Sequence, residues 1–199
     1  GETVEHALLG LDELSRTNSH PVGGALDAPF RRRQSPRWGD AQLGGPLAKQ
    51  RLRFFTSWRD WRIHRDVLDF PESANTDMFS GLGNVTYQLN PRNRITGLYT
   101  RQTYYKPNRN ASALNPPETT WIEDDIFTIY QGAYNSQISS NAVFDARVSY
   151  STITFPLNLQ PDVTGPNVVE LSPGVNSGAA SQNFDQWRTR LAIDGGITI

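Results

Sequence analysis

Three consecutive acids, Glu123-Asp124-Asp125, stand two residues after Trp121 and form the strongest acidic cluster in the sequence. Paired carboxylates beside an aromatic ring suit two chemistries: glycoside hydrolysis, and Ca²⁺ binding through hard oxygen ligands. In an extended strand, successive side chains point to opposite faces, so at most Glu123 and Asp125 share a side. The trio reads as an acidic patch at a loop tip. Asp60 beside Arg59 and Arg62, and Asp145 beside Arg147, read as ion pairs on a surface or lumen wall. His6, His20 and His64 lie far apart and show no paired-ligand spacing. No HExxH, GxSxG, phosphate-binding loop or GxGxxG is present. The sequence therefore offers no catalytic residue, no metal-ligand set and no cofactor motif.

The elements that would position these residues are strands. From Phe79 to Leu89, Phe79, Gly81, Gly83, Val85, Tyr87 and Leu89 fall on one face, and Ser80, Leu82, Asn84, Thr86 and Gln88 on the other. A period of two with one apolar and one polar face is the strand signal. Asn90-Pro91-Arg92-Asn93 supplies a turn, and Arg94 to Tyr105 is the returning strand. Trp121 to Ser136 and Ala142 to Ser151 make a second hairpin around Ser139-Ser140-Asn141. In its second strand Phe144, Ala146, Val148 and Tyr150 alternate with Asp145, Arg147 and Ser149. Phe184 to Ile193 is a further strand, and an aromatic strand of about ten residues follows Lys49-Gln50. Arg65 to Met78, Lys106 to Thr120 and Ser151 to Gln182 read as long loops. Short turns of roughly four residues thus alternate with connections of about 14 to 30, the pattern of a transmembrane barrel. Thr3 to Leu14 carries Val4, Ala7, Leu8, Leu11 and Leu14 at helical spacing, which predicts a short amphipathic helix.

Composition narrows the classes. Only 37% of the 199 residues are apolar, so a large soluble core would have to be built economically. There is no cysteine, which excludes disulfides, thiolate catalysis and Cys-based zinc sites. A net charge of −1 gives no general attraction to nucleic acid or anionic lipid. Arg31 to Arg65 holds ten Lys/Arg against two Asp, interleaved with Phe54, Phe55, Trp58 and Trp61. With no nucleic-acid motif beside it, this basic stretch reads as a solvated lumen or periplasmic face. No apolar run approaches the roughly 20 residues of a spanning helix, so a membrane role would be that of a β-barrel, in which every second residue faces lipid. The start GETVEHALLGLDELSR lacks the marks of a signal peptide, and the expectation is a piece of a longer protein.

Four stretches carry a family likeness. LGGPLAKQRLRFFTSWRDWR resembles the early barrel of TonB-dependent outer-membrane receptors, in the Oar-like group that carries a carboxypeptidase-regulatory-like domain. ELSRTNSHPVGGAL is similar to the segment leading into that barrel, and YQLNPRNRITGLYTRQ to one of its strand-turn-strand units. PETTWIEDDIFTIYQGAYNSQISSNAVFDARVSY resembles the next unit. The likeness covers about residues 12 to 195, while DAPFRRRQSPRWGDAQ looks like an insertion.

The resemblance implies an all-β fold, an antiparallel meander of long strands forming part of a transmembrane barrel. Residues 1–40 would be a lead-in segment and residues 41–199 about six strands with long outer loops. It further implies the outer membrane of a Gram-negative bacterium, with outer-membrane lipid around the barrel. A large ligand, glycan or peptide, would be taken up with an inner-membrane energy-transducing complex as partner. Such receptors have about 22 strands around a plug, so this chain would be a fragment. Ligand contact would fall to Tyr104, Tyr105, Trp121, Glu123 and Asp125. The competing expectation is a secreted carbohydrate-binding module or glycoside hydrolase with Trp58, Trp61, Trp121 and Trp187 as sugar platforms.

Overall fold

A computed structural model describes residues 34–49, 51–161 and 163–199. The helix expected over Thr3–Leu14 and the Arg31–Arg33 run lie outside the described residues. Seven long strands form one antiparallel sheet: β1 (Gln34–Ala48), β2 (Leu52–Arg65), β3 (Thr76–Asn90), β4 (Asn93–Arg109), β5 (Trp121–Gln137), β6 (Val143–Leu159) and β9 (Phe184–Thr198). Their order in the sheet is their order in the chain, apart from a two-residue pair, β7 (Val168–Val169) with β8 (Asn176–Ser177), set in the last loop. The fold is therefore the all-β antiparallel meander expected from the alternation. Each strand pairs with its neighbours, and β1 and β9 stand at the edges.

Local chemistry sets the two ends apart. All three short turns lie at one end. In the β3–β4 turn Asn90 Oδ1 accepts from the Arg92 N–H at 3.0 Å and from Asn93 Nδ2 at 2.8 Å, while Pro91 fixes its own φ. Between β5 and β6 the N–H groups of Ile138 and Ser139 both donate to the Ala142 carbonyl. The connections 66–75, 110–120 and 160–183 lie at the other end. They are bound to one another: Asn176 N–H donates to the Leu114 carbonyl at 2.8 Å, and Trp121 Nε1 to the Gln182 carbonyl at 2.7 Å. Gln160 Nε2 reaches the Pro107 carbonyl at 2.7 Å and Thr120 Oγ1 at 2.8 Å. We call this knitted end the crown.

The sheet differs from the sequence expectation in three places. A full-length β1 runs through the stretch read as a lead-in segment and an insertion, giving seven strands rather than about six. Its prolines are tolerated because an edge strand leaves half its N–H groups outside the ladder. β4 continues past Tyr105 to Arg109, and β6 past Ser151 to Leu159, so both loops are shorter than expected. Pro107 falls where the β4–β5 register shifts between Lys106 and Arg109. Pro156 falls where the β5–β6 ladder skips from Glu123–Leu157 to Ile126–Thr154. Pro107 therefore lies at a ladder irregularity, and Pro156 lies at one toward β5 while pairing in register with Asp185 on β9.

Residues directly opposed across strands share a face. One face carries the rows Ala48–Leu52–Tyr87–Ile95–Tyr134–Ala146–Gly195 and Gly45–Phe54–Val85–Gly97–Gly132–Val148–Ile193. A third row adds Leu43, Thr56, Tyr99, Tyr130, Tyr150 and Leu191. These three rows, counted from the short turns, hold no charged residue. Arg101, Asp60, Arg62, Asp77 and Asp124 share this face but all lie beyond them, toward the crown. The opposite face is rich in polar groups, among them Asp40, Gln42, Arg59, Gln102, Asp145, Arg147, Arg188 and Arg190.

Among the described residues, nothing covers the apolar face. Among the described residues the buried apolar side chains are Phe70, Ala74, Ala111, Ala179 and Ala180, every one in a crown loop. By contrast Val148 is 46% exposed and Tyr130 52%. A soluble sandwich packs a second layer on such a face; among the described residues there is none.

Candidate functional site

Two features on the polar face can do chemistry. The first is a hollow of about 540 Å³ across β1–β4. Register builds it. The row Asp40–Arg59–Ser80–Gln102 and the adjacent row Gln42–Ser57–Leu82–Thr100 form its floor. The next row toward the crown, Trp38–Trp61–Met78–Tyr104, sets aromatic rings along one margin. Trp61 is 40% exposed there. Gln102 Nε2 lies 3.5 Å from Ser80 Oγ, so the floor groups also contact one another.

The second feature is a charged cluster at the crown end of β4 and β5. Glu123 is only 3% exposed and ion-paired with Arg109. The Arg109 guanidinium also lies over the Phe155 ring, 5.2 Å from its centroid. Lys106 is the cross-strand partner of Glu123, and Tyr104 that of Asp125. Glu123 Oε2 and Asp125 Oδ1 are both buried without a hydrogen-bond donor. A proton on Asp125 would supply the donor that these oxygens lack. Burial, then the charge of Glu123 and a hydrogen bond to it, push the Asp125 carboxyl up to about 7. Burial, then Arg65, hold the Lys106 ammonium below the usual lysine range. The cluster stands beyond the three uncharged rows, on the crown side.

Glu123 and Asp125 are thus placed in a strand and inward, not at a loop tip, because Arg109 and Lys106 compensate the burial of Glu123; Asp124 is exposed on the other face. Among the described residues, no group of three or more His, Cys, Asp or Glu is placed to hold a metal ion.

The five residues expected at the ligand do not converge. Tyr104 lines the hollow, and Asp125 neighbours it on the same face. Glu123 is turned into its ion pair. Tyr105 pairs with Asp77 and Asp124, on the opposite face. Trp121 is half-buried and tied by its indole to Gln182. Nor do four tryptophans line one groove: Trp58 and Trp187 lie on the apolar face and Trp61 on the polar one. Of the expected ion pairs, Asp60 meets Arg62 at 3.1 Å, whereas Asp145 accepts from Asn135. Asp40, Gln42, Arg59 and Gln102 escaped sequence reasoning. Only the register between β1 and β4 unites them, although their alternation was available.

No protein-family model, curated protein or solved structure matches the chain. Among the described residues, no helix is long and apolar enough to cross a membrane, which leaves open a crossing by strands.

Proposed function

We propose that the chain is part of an outer-membrane receptor barrel that takes up a large ligand with energy from an inner-membrane partner. The observation that carries this reading is the bare, charge-free apolar band, in a sheet whose buried apolar residues all lie in the crown loops. In water such a band would drive aggregation; in a bilayer, lipid covers it. Strands of 14 to 17 residues are long enough for the roughly 10 that cross a bilayer; the uncharged rows run from Ile95 to Tyr99 on β4, and Arg101 marks their crown-side limit. Every strand satisfies its backbone against its neighbours, as hydrocarbon demands, and the two edges would pair with further strands of a closed barrel. The polar face then becomes a water-filled wall. The likeness of LGGPLAKQRLRFFTSWRDWR and YQLNPRNRITGLYTRQ to TonB-dependent receptors points the same way.

In mechanism, the crown loops capture the ligand. The polar wall passes it inward, and energy from the inner-membrane complex opens the path. Dispersal tests the reading directly. The purified protein is expected to need detergent or lipid to stay monodisperse. A monodisperse species in plain buffer with a cooperative thermal transition would refute it.

A further inference from the structure

The hollow on the polar face has the chemistry of a saccharide site, and we infer that it binds a neutral oligosaccharide. The inference deepens the receptor proposal and rests on reading this face as the ligand wall. A pyranose presents an apolar C–H face and a rim of hydroxyls that both donate and accept. The hollow offers the complement of each. Trp61 and Tyr104 stand on one margin, with the Trp61 ring exposed instead of packed. Aromatic rings left open beside polar groups pair an apolar surface with a wet one. Beside them the floor holds an acceptor, Asp40, a donor fork, Arg59, and two amides that do both, Gln42 and Gln102. Asp40, Gln42 and Arg59 sit on adjacent strands about 5 Å apart, with Gln102 two strands beyond Arg59, so hydroxyls along an extended sugar chain meet partners in turn.

Other ligand classes fit less well. A peptide held by its main chain needs a sheet edge, and on this face the backbone groups are already spent in the ladders. A phosphate or carboxylate calls for converging cations, but Arg59 stands directly across from Asp40. An acyl chain would leave Asp40, Arg59 and both glutamines without partners. The volume of about 540 Å³ falls within the usual range of about 300–1,000 Å³ for small-ligand sites.

The test titrates the receptor in detergent micelles with cellohexaose, xylohexaose, chitohexaose and laminarihexaose, read by calorimetry and tryptophan fluorescence. At least one should bind in the micromolar to millimolar range. Trp61→Ala should weaken that binding at least about tenfold, and Trp61→Phe only slightly. Trp187→Ala, on the apolar face, should leave it unchanged. Gln102→Ala, at an exposed polar position, carries the test if Trp61→Ala fails to fold, and should weaken binding severalfold. Binding by none of the four sugars, or full binding by Trp61→Ala and Gln102→Ala, overturns the inference. Failure of the receptor reading looks different: the chain then disperses without detergent, and sugar binding is measured in buffer.

Discussion

Exchanging a single side chain for arginine on either face of β6 separates a lipid-facing sheet from a water-facing one. Val148 sits in the middle of the uncharged band, between Gly132 on β5 and Ile193 on β9. Its neighbour Ser149 points the other way, between Gln131 and Ala192. An arginine on the lipid face at mid-bilayer costs about 2–4 kcal/mol, and one at the interface about 0–1. At about 1.36 kcal/mol per decade, Val148→Arg should lower the folding equilibrium constant by about 30- to 900-fold. Ser149→Arg adds a charge to a face that already carries Asp145 and Arg147, and should fall within about 0.5 kcal/mol of the native protein. The assay folds the chain into lipid vesicles over a urea series, following gel mobility and tryptophan fluorescence. Equal and small effects of the two substitutions would refute the lipid face. A costly Ser149→Arg beside a neutral Val148→Arg would mean that the faces are inverted.

Three further outcomes are expected. The folded Asp125 carboxyl titrates near 7, against about 3.8 for an ordinary aspartate, so its acid form is the one the fold favours. That contribution is complete below about pH 4 and lost as pH rises through about 7. Discounted for partial exposure, the loss is about 1–2 kcal/mol, and Asp125→Asn should recover it at pH 8 and flatten urea midpoints between pH 4 and 8. Arg109→Ala leaves Glu123 buried without its cation and should cost about 3 kcal/mol, unless Glu123 takes up a proton, which would appear as recovery at acid pH. Gly178 has φ +75° and its missing Cβ would run into the Pro166 carbonyl, so Gly178→Ala should open residues 160–183 to limited proteolysis. An unchanged cleavage pattern would contradict that packing.

Much of the sheet was legible because β3 and β6 alternate cleanly, and the turns after β3 and β5 carry Asn, Pro and Ser at the positions that reverse a chain. β1 was not, since Pro36, Gly39, Gly44, Gly45 and Pro46 break the pattern that an interior strand would need. Pro107 and Pro156 likewise read as loop residues, although each sits at a ladder irregularity that tolerates it. Alternation alone placed Glu123 and Asp125 on one side. It could not show that Arg109, fourteen residues before Glu123, would fold back and bury that acid. The hollow was out of reach for the same reason: Asp40 and Gln102 fall in one row only after three strand pairings are fixed in register.

The two outer strands are unlike in one respect that governs how molecules would stick together. β1 brings two prolines and three glycines to its rim, which blunts it as a template for another strand. β9, from Phe184 to Thr198, has no proline and exposes Leu191, Ile193 and Ile197 beside its open backbone. Self-association outside a membrane should therefore be directional, seeded at the β9 rim and growing by strand addition there. A lysine or proline at an outward-facing β9 position would be the economical way to keep the protein dispersed during refolding.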